Sequence, residues 1–246
     1  MGANGDNMKY WTYSEIKNKI RTDLGIEQET FITPDELRGY VNAGIDEAEA
    51  EIHTLYEDYF LSRASRDLTL GERYLDMPGN IYGFKIRSIV YNDGTDVYTI
   101  KRFKNTEAIW EKFVYQDLVE DDVYQYAIFN DEATEGVIQL PRIFLVPIPS
   151  ETRPGAITIF YLRNANRMND DNSVCDIPEF VHFVLQYAKV RCYEKEGDPR
   201  LGAALQMLEH FRRQMVNTLT NMTPDGENEI EKDMTFYYEM GVEQNP

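Results

Sequence analysis

Two capping boxes near the start of the chain, and a change of hydrophobic period from about 3.6 to 2 between its ends and its middle, constrain the fold more than any other feature. In Thr12-Tyr13-Ser14-Glu15 the Thr12 hydroxyl can accept from the third helical amide while the Glu15 carboxylate reaches back to the amide of Thr12. Ile16, Ile20 and Leu24 follow at four-residue spacing, and Gly25 suits a left-handed stop. Thr33-Pro34-Asp35-Glu36 repeats the box with proline at the first helical position, where a missing N–H costs nothing. Behind it Leu37, Val41, Ile45, Ala48, Ile52, Leu55 and Tyr59 form one apolar stripe, which predicts a helix of about 25 residues with Asp46, Glu47, Glu49 and Glu57 on its other face. Towards the C-terminus, Asp176-Ile177-Pro178-Glu179 predicts a third start, with Phe180, Val184, Tyr187 and Val190 behind it and Gly197 as terminator. Asp198-Pro199 opens a fourth helix at once, and its stripe through Leu201, Ala204 or Leu205, Leu208, Phe211 or Arg212, Met215 and Leu219 runs to Thr223-Pro224.

Between these helices the pattern is that of strands. Leu68 and Leu70 alternate, then Phe84, Ile86 and Val90 alternate with Lys85, Arg87 and Tyr91, and Asn92-Asp93-Gly94-Thr95 is a hairpin turn because Asp-Gly tolerates positive φ. Further strands are expected over 97–103, 124–129, 137–146 and 156–162, with a short helix at 105–113. Pro147-Ile148-Pro149 and Arg153-Pro154-Gly155 read as a corner, since proline cannot donate to a ladder. The expected fold is α+β: a helical bundle of about four helices from the two ends of the chain, an inserted small antiparallel β domain, and an extended C-terminal arm. The corresponding boundaries are 1–62 with 174–223 for the helices, 63–173 for the β domain and 224–246 for the arm.

Composition narrows the function. At 246 residues with 42% hydrophobic side chains the chain can bury a core, which excludes disorder as a whole-chain description. A formal net charge of -18 argues against free nucleic-acid binding, which draws its affinity from phosphate neutralisation. Cys175 and Cys192 are too few for a disulfide framework or a four-cysteine zinc site, and fit a reducing compartment as buried thiols. The longest uncharged apolar run, Ile143 to Pro149, is too short to span a bilayer, so a soluble chain with no membrane partner is expected. Nucleophile elbows, phosphate loops and paired metal-ligand motifs are absent, and His53, His182 and His210 each lack a second histidine at helical spacing. No catalytic residue, metal site or cofactor is assigned; a binding or structural role is favoured.

Residues 225–233 are charged, and Met234, Phe236, Tyr237, Tyr238 and Met240 set an apolar cluster beyond them. Such a cluster on a polar tether either docks on the chain's own surface or orders on a partner.

The order of segments carries a more specific likeness. T-Y-S-E-I-K-N-K-I, F-I-T-P-D-E-L-R-G-Y-V-N-A-G-I-D-E-A-E-A-E-I, D-L-T-L-G-E-R-Y-L-D-M-P and F-K-I-R-S-I-V-Y-N-D-G are followed by I-Q-L-P-R-I-F-L-V-P-I-P, I-T-I-F-Y-L-R-N-A-N and D-I-P-E-F-V-H-F-V-L-Q-Y-A. In that order, to about Met222, they resemble the head-to-tail adaptor proteins of tailed bacteriophages, with an insertion around 105–135. The resemblance implies a structural virion protein at the head–tail interface, made in the host cytoplasm. It implies a ring, usually of twelve copies, between the portal protein and a tail or nozzle protein, with DNA passing through unbound. Met234, Phe236, Tyr237, Tyr238 and Met240 would then be an arm that grips the portal, many weak arms holding together. Asp46, Glu47, Glu49 and Glu51 would face the channel and repel phosphate over about 8 Å at physiological salt, unless they are an ordinary solvated face. Lys9, Lys17, Lys19 and Arg21 are candidates for ion pairs between subunits. The other readings are a tail-associated cell-wall hydrolase using paired carboxylates and a non-viral helical interaction module.

Overall fold

The computed structural model describes residues 10–26, 31–103, 124–129 and 141–222. The chain divides into two compact units, one of residues 1–56 with 178–246 and one of residues 57–177.

The first unit holds α1 (Tyr13–Leu24), α2 (Pro34–Leu55), α3 (Val181–Glu196) and α4 (Leu201–Met222). Both capping boxes form. The Thr12 hydroxyl accepts from the Glu15 amide at 3.3 Å and the Thr12 amide donates to the Glu15 carboxylate at 2.9 Å; Thr33 and Glu36 make the same pair at 3.2 and 2.9 Å. Gly25 and Gly197 close α1 and α3 with φ of 73° and 66°, a conformation that costs little only without a Cβ. The stripe on α2 is buried from Leu37 to Ile52, but the helix stops at Leu55 and the chain turns through a 3-10 segment at Glu57–Phe60. The third expected start is displaced: Pro178–Phe180 is a 3-10 turn and α3 begins at Val181 with no side-chain cap. Asp176 is committed elsewhere, accepting from the Arg163 guanidinium at 2.6 Å and the Asn166 amide at 3.0 Å. α3 packs against the other three helices, which explains why Phe183, Val184, Leu185, Ala188, Val190 and Cys192 are all buried and no single stripe describes it.

The second unit corrects the expected fold. The strand region is no small antiparallel insert in a helical bundle but a seven-stranded, nearly closed, barrel-like sheet. Its strands are β1 (Leu61–Leu68), β2 (Tyr74–Asp76), β3 (Ile81–Asn92), β4 (Val97–Arg102), β5 (Gln125–Phe129), β6 (Arg142–Val146) and β7 (Arg153–Arg163), in spatial order β1-β7-β3-β4-β5-β6-β2. The edges β1 and β2 approach one another, and the Arg66 side chain donates to the Asp76 carbonyl at 2.9 Å. β4 and β5 run parallel and share only two residue pairs, Lys101 with Gln125 and Arg102 with Tyr126. The core is drawn from across the sheet, with Leu68, Ile89, Ile143, Leu145, Ile157 and Ile159 fully covered.

Two features hid this sheet from the sequence. The first seven residues of β1, Leu-Ser-Arg-Ala-Ser-Arg-Asp, bury no side chain fully, so the strand has no apolar period and is held by backbone pairing with β7 from Leu61↔Leu162 to Leu68↔Arg153. In β3 the register against β7 shifts between Ile81 and Ile86 and again before Ser88, with Gly83 and Phe84 at φ of 52° and 55°. A one-residue slip exchanges the faces of a strand: Phe84 is 43% exposed, while Ile89 and Tyr91 are buried. The hairpin turn stands as expected, with Gly94 at φ 93° and the Asp93 carboxylate accepting from the Thr95 and Asp96 amides at 2.7 Å. Pro154, expected in a corner, lies inside β7 where the ladder with β1 shifts register, and the next amide, of Gly155, donates to Asp67 at 2.7 Å. The expected helix at 105–113 and the start of the 137–146 strand lie outside the described residues.

Candidate interaction surface

The residues singled out for function separate on the structure. Met234, Phe236, Tyr237, Tyr238 and Met240 lie outside the described residues. On α2, Asp46 and Glu47 are exposed to water. Glu49 is 5% exposed, with an oxygen 3.8 Å from Nε2 of His53 one turn on, so it has no open carboxylate to offer a channel. Glu51 is half-buried and accepts from Arg212 of α4 at 2.9 Å. The four acids expected on one face of α2 thus differ in surroundings, since α4 packs against α2 and Arg212 of α4 pairs with Glu51. The basic residues of α1 find partners in their own subunit: Lys19 pairs with Asp23 at 2.8 Å, Lys17 sits 5.5 Å from the Tyr13 ring centre, and Arg21 donates to the Ile32 carbonyl at 3.5 Å. Lys9 lies outside the described residues.

The placement of charge also changes the reading of the net -18. The described part of the strand unit is balanced, because each acid from Glu57 to Asp176 is matched in number by Arg or Lys. Residues 223–246 carry Lys232 against Asp225, Glu227, Glu229, Glu231, Asp233, Glu239 and Glu243. The terminal segment thus accounts for -6 of the net -18.

α4 is the least covered helix among the described residues. Of its residues only Ala204, Met215 and Leu219 are buried, while Leu205, Met207 and Met222 are 45%, 47% and 37% exposed. No charged side chain occurs from Gln214 to Met222. The hydroxyls of Thr218 and Thr220 turn back to the carbonyls of Gln214 and Val216 at 2.9 and 2.8 Å, so the helix itself satisfies them. A stretch without charge costs less to desolvate than a charged one, and the polar groups left to satisfy on it are the exposed carboxamides of Gln214, Asn217 and Asn221. Beside it a groove of about 380 Å³ opens between α4 and the start of α3, floored by Phe180, Phe183, Phe211 and Met215. His182 on its rim stacks on Phe211 at 6.0 Å between ring centres and meets the edge of Trp11 at 6.3 Å. Sequence reading placed Phe180 and Met215 on helical stripes but had no signal that the stripes leave a gap where they meet.

Two hollows of the strand unit border the short β4–β5 joint. One, of about 780 Å³, is lined by Arg87, Lys101 and Arg102 with Tyr126 and Phe129. The other, of about 580 Å³, holds Tyr91, Tyr98, Tyr124 and Glu151. Burial, with the nearby Glu151 carboxylate, pushes the Tyr91 hydroxyl up to about 12, so it remains a donor to Glu151 at 3.1 Å. Among the described residues no group of three or more His, Cys, Asp or Glu is placed to hold a metal ion, and no helix is long and apolar enough to cross a membrane.

A comparison of the chain with protein families identifies the setting. The family model described as SU10 adaptor protein matches residues 11–229, across both units. The chain belongs to the SU10 adaptor family. SU10 adaptors are phage head–tail adaptors, so the protein is a structural component of a phage virion, in a family that is typically non-enzymatic. No curated protein matches the chain. In this SU10-family adaptor the match includes the four helices and seven strands among the described residues, and ends within the charged segment that follows α4.

Proposed function

We propose that the protein is a non-enzymatic ring adaptor that joins the portal at the capsid vertex to the tail and surrounds the path of the DNA. Membership of the SU10 adaptor family over residues 11–229 is the observation that carries this reading. The exposed, uncharged end of α4, residues 214–222, supports it, because a subunit in a ring needs a face free of charges that would have to be desolvated. In this reading the terminal segment is the portal-binding arm, with Met234, Phe236, Tyr237, Tyr238 and Met240 as its anchor on an acidic tether. Each arm binds weakly, and a ring of linked arms holds firmly because each later contact forms at high effective concentration. The channel wall draws on Asp46 and Glu47, which are exposed, and not on Glu49 or Glu51.

Native mass measurement of the full chain mixed with portal assemblies tests the proposal. A discrete ring of added copies, twelve for a twelve-fold portal, is expected. Portal assemblies that stay bare at micromolar adaptor would overturn it.

A further inference from the structure

β3 carries an aromatic knob near its start and borders an open hollow at its end, both within the strand unit. The knob is Phe84. It sits in the bulge where the register against β7 breaks, with a φ of 55° beside Gly83 at 52°, and it is 43% exposed. A left-handed backbone is costly for a residue with a Cβ, and a half-exposed phenyl ring recovers little of that cost by burial. The frame around the bulge holds it there: Lys85 and Arg87 beyond it both pair with Glu57, while Asn80 before it accepts from the Tyr161 hydroxyl at 2.8 Å and from the Asn164 amide at 2.7 Å. Strain kept in place by its surroundings points to a use outside the free fold. Leu61, 47% exposed, lies across β7 from the bulge, opposite Leu162.

The hollow of about 580 Å³ includes Tyr91, seven residues and about 20 Å further along β3, so Phe84 cannot fill the hollow of its own subunit. Its apolar lining is open, with Tyr98 41% exposed and Pro147 and Ile148 half-buried. Tyr91 stacks on Tyr98 at 6.4 Å between ring centres and meets Tyr124 edge to face at 5.1 Å, so the walls are fixed rings to which a further ring can add. Charge is complementary as well. Beside the knob, Glu57 and Asp58 take up Lys85 and Arg87, and Arg63, exposed on β1, has no acidic partner among the described residues. Around the hollow, Asp93, Asp96 and Glu151 outnumber Arg153, which pairs with Glu151 at 2.9 Å.

We propose that Phe84 of one subunit enters the tyrosine-lined hollow of the next, so that the strand units join head to tail around the ring. This deepens the ring reading and rests on it. A knob and a hollow at separate places on one unit make a heterologous contact, which closes on itself when the rotation between copies divides a full turn.

Photo-crosslinking of the full chain at high micromolar concentration, with p-benzoylphenylalanine in place of Phe84 and no portal present, tests the contact. Crosslinks between copies to residues 91–98 or 147–151 are expected, in a ladder that runs past the dimer because each copy offers both a knob and a hollow. Crosslinks confined to other residues, a ladder that stops at the dimer, or no link between copies overturns the proposal. Phe84→Gly separates an anchor from a fold element, since glycine suits the left-handed backbone. The variant should keep its thermal midpoint while self-association, followed by sedimentation, weakens at least about tenfold. Association as strong as that of the native chain counts against the contact. Portal is absent throughout, so this contact and attachment to the portal can fail separately.

Discussion

Glu36 does two jobs with one carboxylate. It closes the capping box at Thr33 and accepts from Lys195 of α3 at 2.7 and 2.8 Å, so the entry of α2 is tied to the end of α3. The Lys195 ammonium, with the Thr33 amide and hydroxyl, holds its pKa down to about 2 from 4.5. A carboxylate lowered on folding stabilises the folded state fully above its unfolded value and loses that contribution as pH falls through the folded one. The window here is pH 4.5 down to about 2. Glu36→Gln should therefore lower the thermal midpoint at pH 7 and change it little at pH 2, as followed by circular dichroism; an equal loss at both would refute the linkage. Cys192 behaves in the opposite sense, because burial, with the Glu196 carboxylate nearby, raises its thiol to about 12. Iodoacetamide at pH 8 should leave Cys192 unmodified in the native protein and alkylate it in urea, read by intact mass. Ile45 is wholly buried in the α2 stripe, and Ile45→Ala should cost about 2–5 kcal/mol, seen as a lower urea midpoint.

At the scale of elements, the crossing of α2 and α3 is set by a missing side chain. A Cβ on Gly44 would lie 3.2 Å from Cβ of Tyr187 and 3.3 Å from the Val184 carbonyl oxygen, both fixed to the α3 backbone. Small residues allow helices to approach closely, and a larger one must push the pair apart. Gly44→Leu should destabilise the protein by about 3 kcal/mol, measured by urea unfolding, whereas Gly39→Leu, with open space at its Cβ, should cost far less. The elements differ in how legible they were. α1 and α2 could be read to within a residue of their starts, because each cap is a contact between side chain and backbone within four residues. The start of α3 could not, since Asp176 has a stronger partner in Arg163, thirteen residues earlier. β1 was missed because its stability lies in the ladder with β7, and a ladder leaves no mark on side-chain period when neither face is fully buried.

For the whole molecule, the division into two compact units and the position of the arm lead to separate expectations. Deletion of residues 225–246 removes none of the described helices or strands, so the truncated chain should keep its circular dichroism spectrum and thermal midpoint. It should also fail to stay on portal assemblies through sedimentation; retained attachment would remove the arm from the proposed function. The strand unit has a core of its own, and residues 57–177 expressed alone should give a cooperative β-type melting transition, with a non-cooperative melt as the contrary result.

The amino-acid sequence by itself determined what depends on neighbours within a turn or two: the capped helices at both ends, the Asn92–Thr95 hairpin, the left-handed stops at Gly25 and Gly197, and the order of segments that resembles phage adaptors. Only the tertiary structure decided the rest. It turned a presumed small insert into a nearly closed sheet, covered Glu49, paired Glu51 with Arg212, and left a gap between α3 and α4. The reason is physical: a cap or a tight turn is satisfied by groups the chain brings along with it, whereas closure, coverage and grooves depend on which distant surfaces meet.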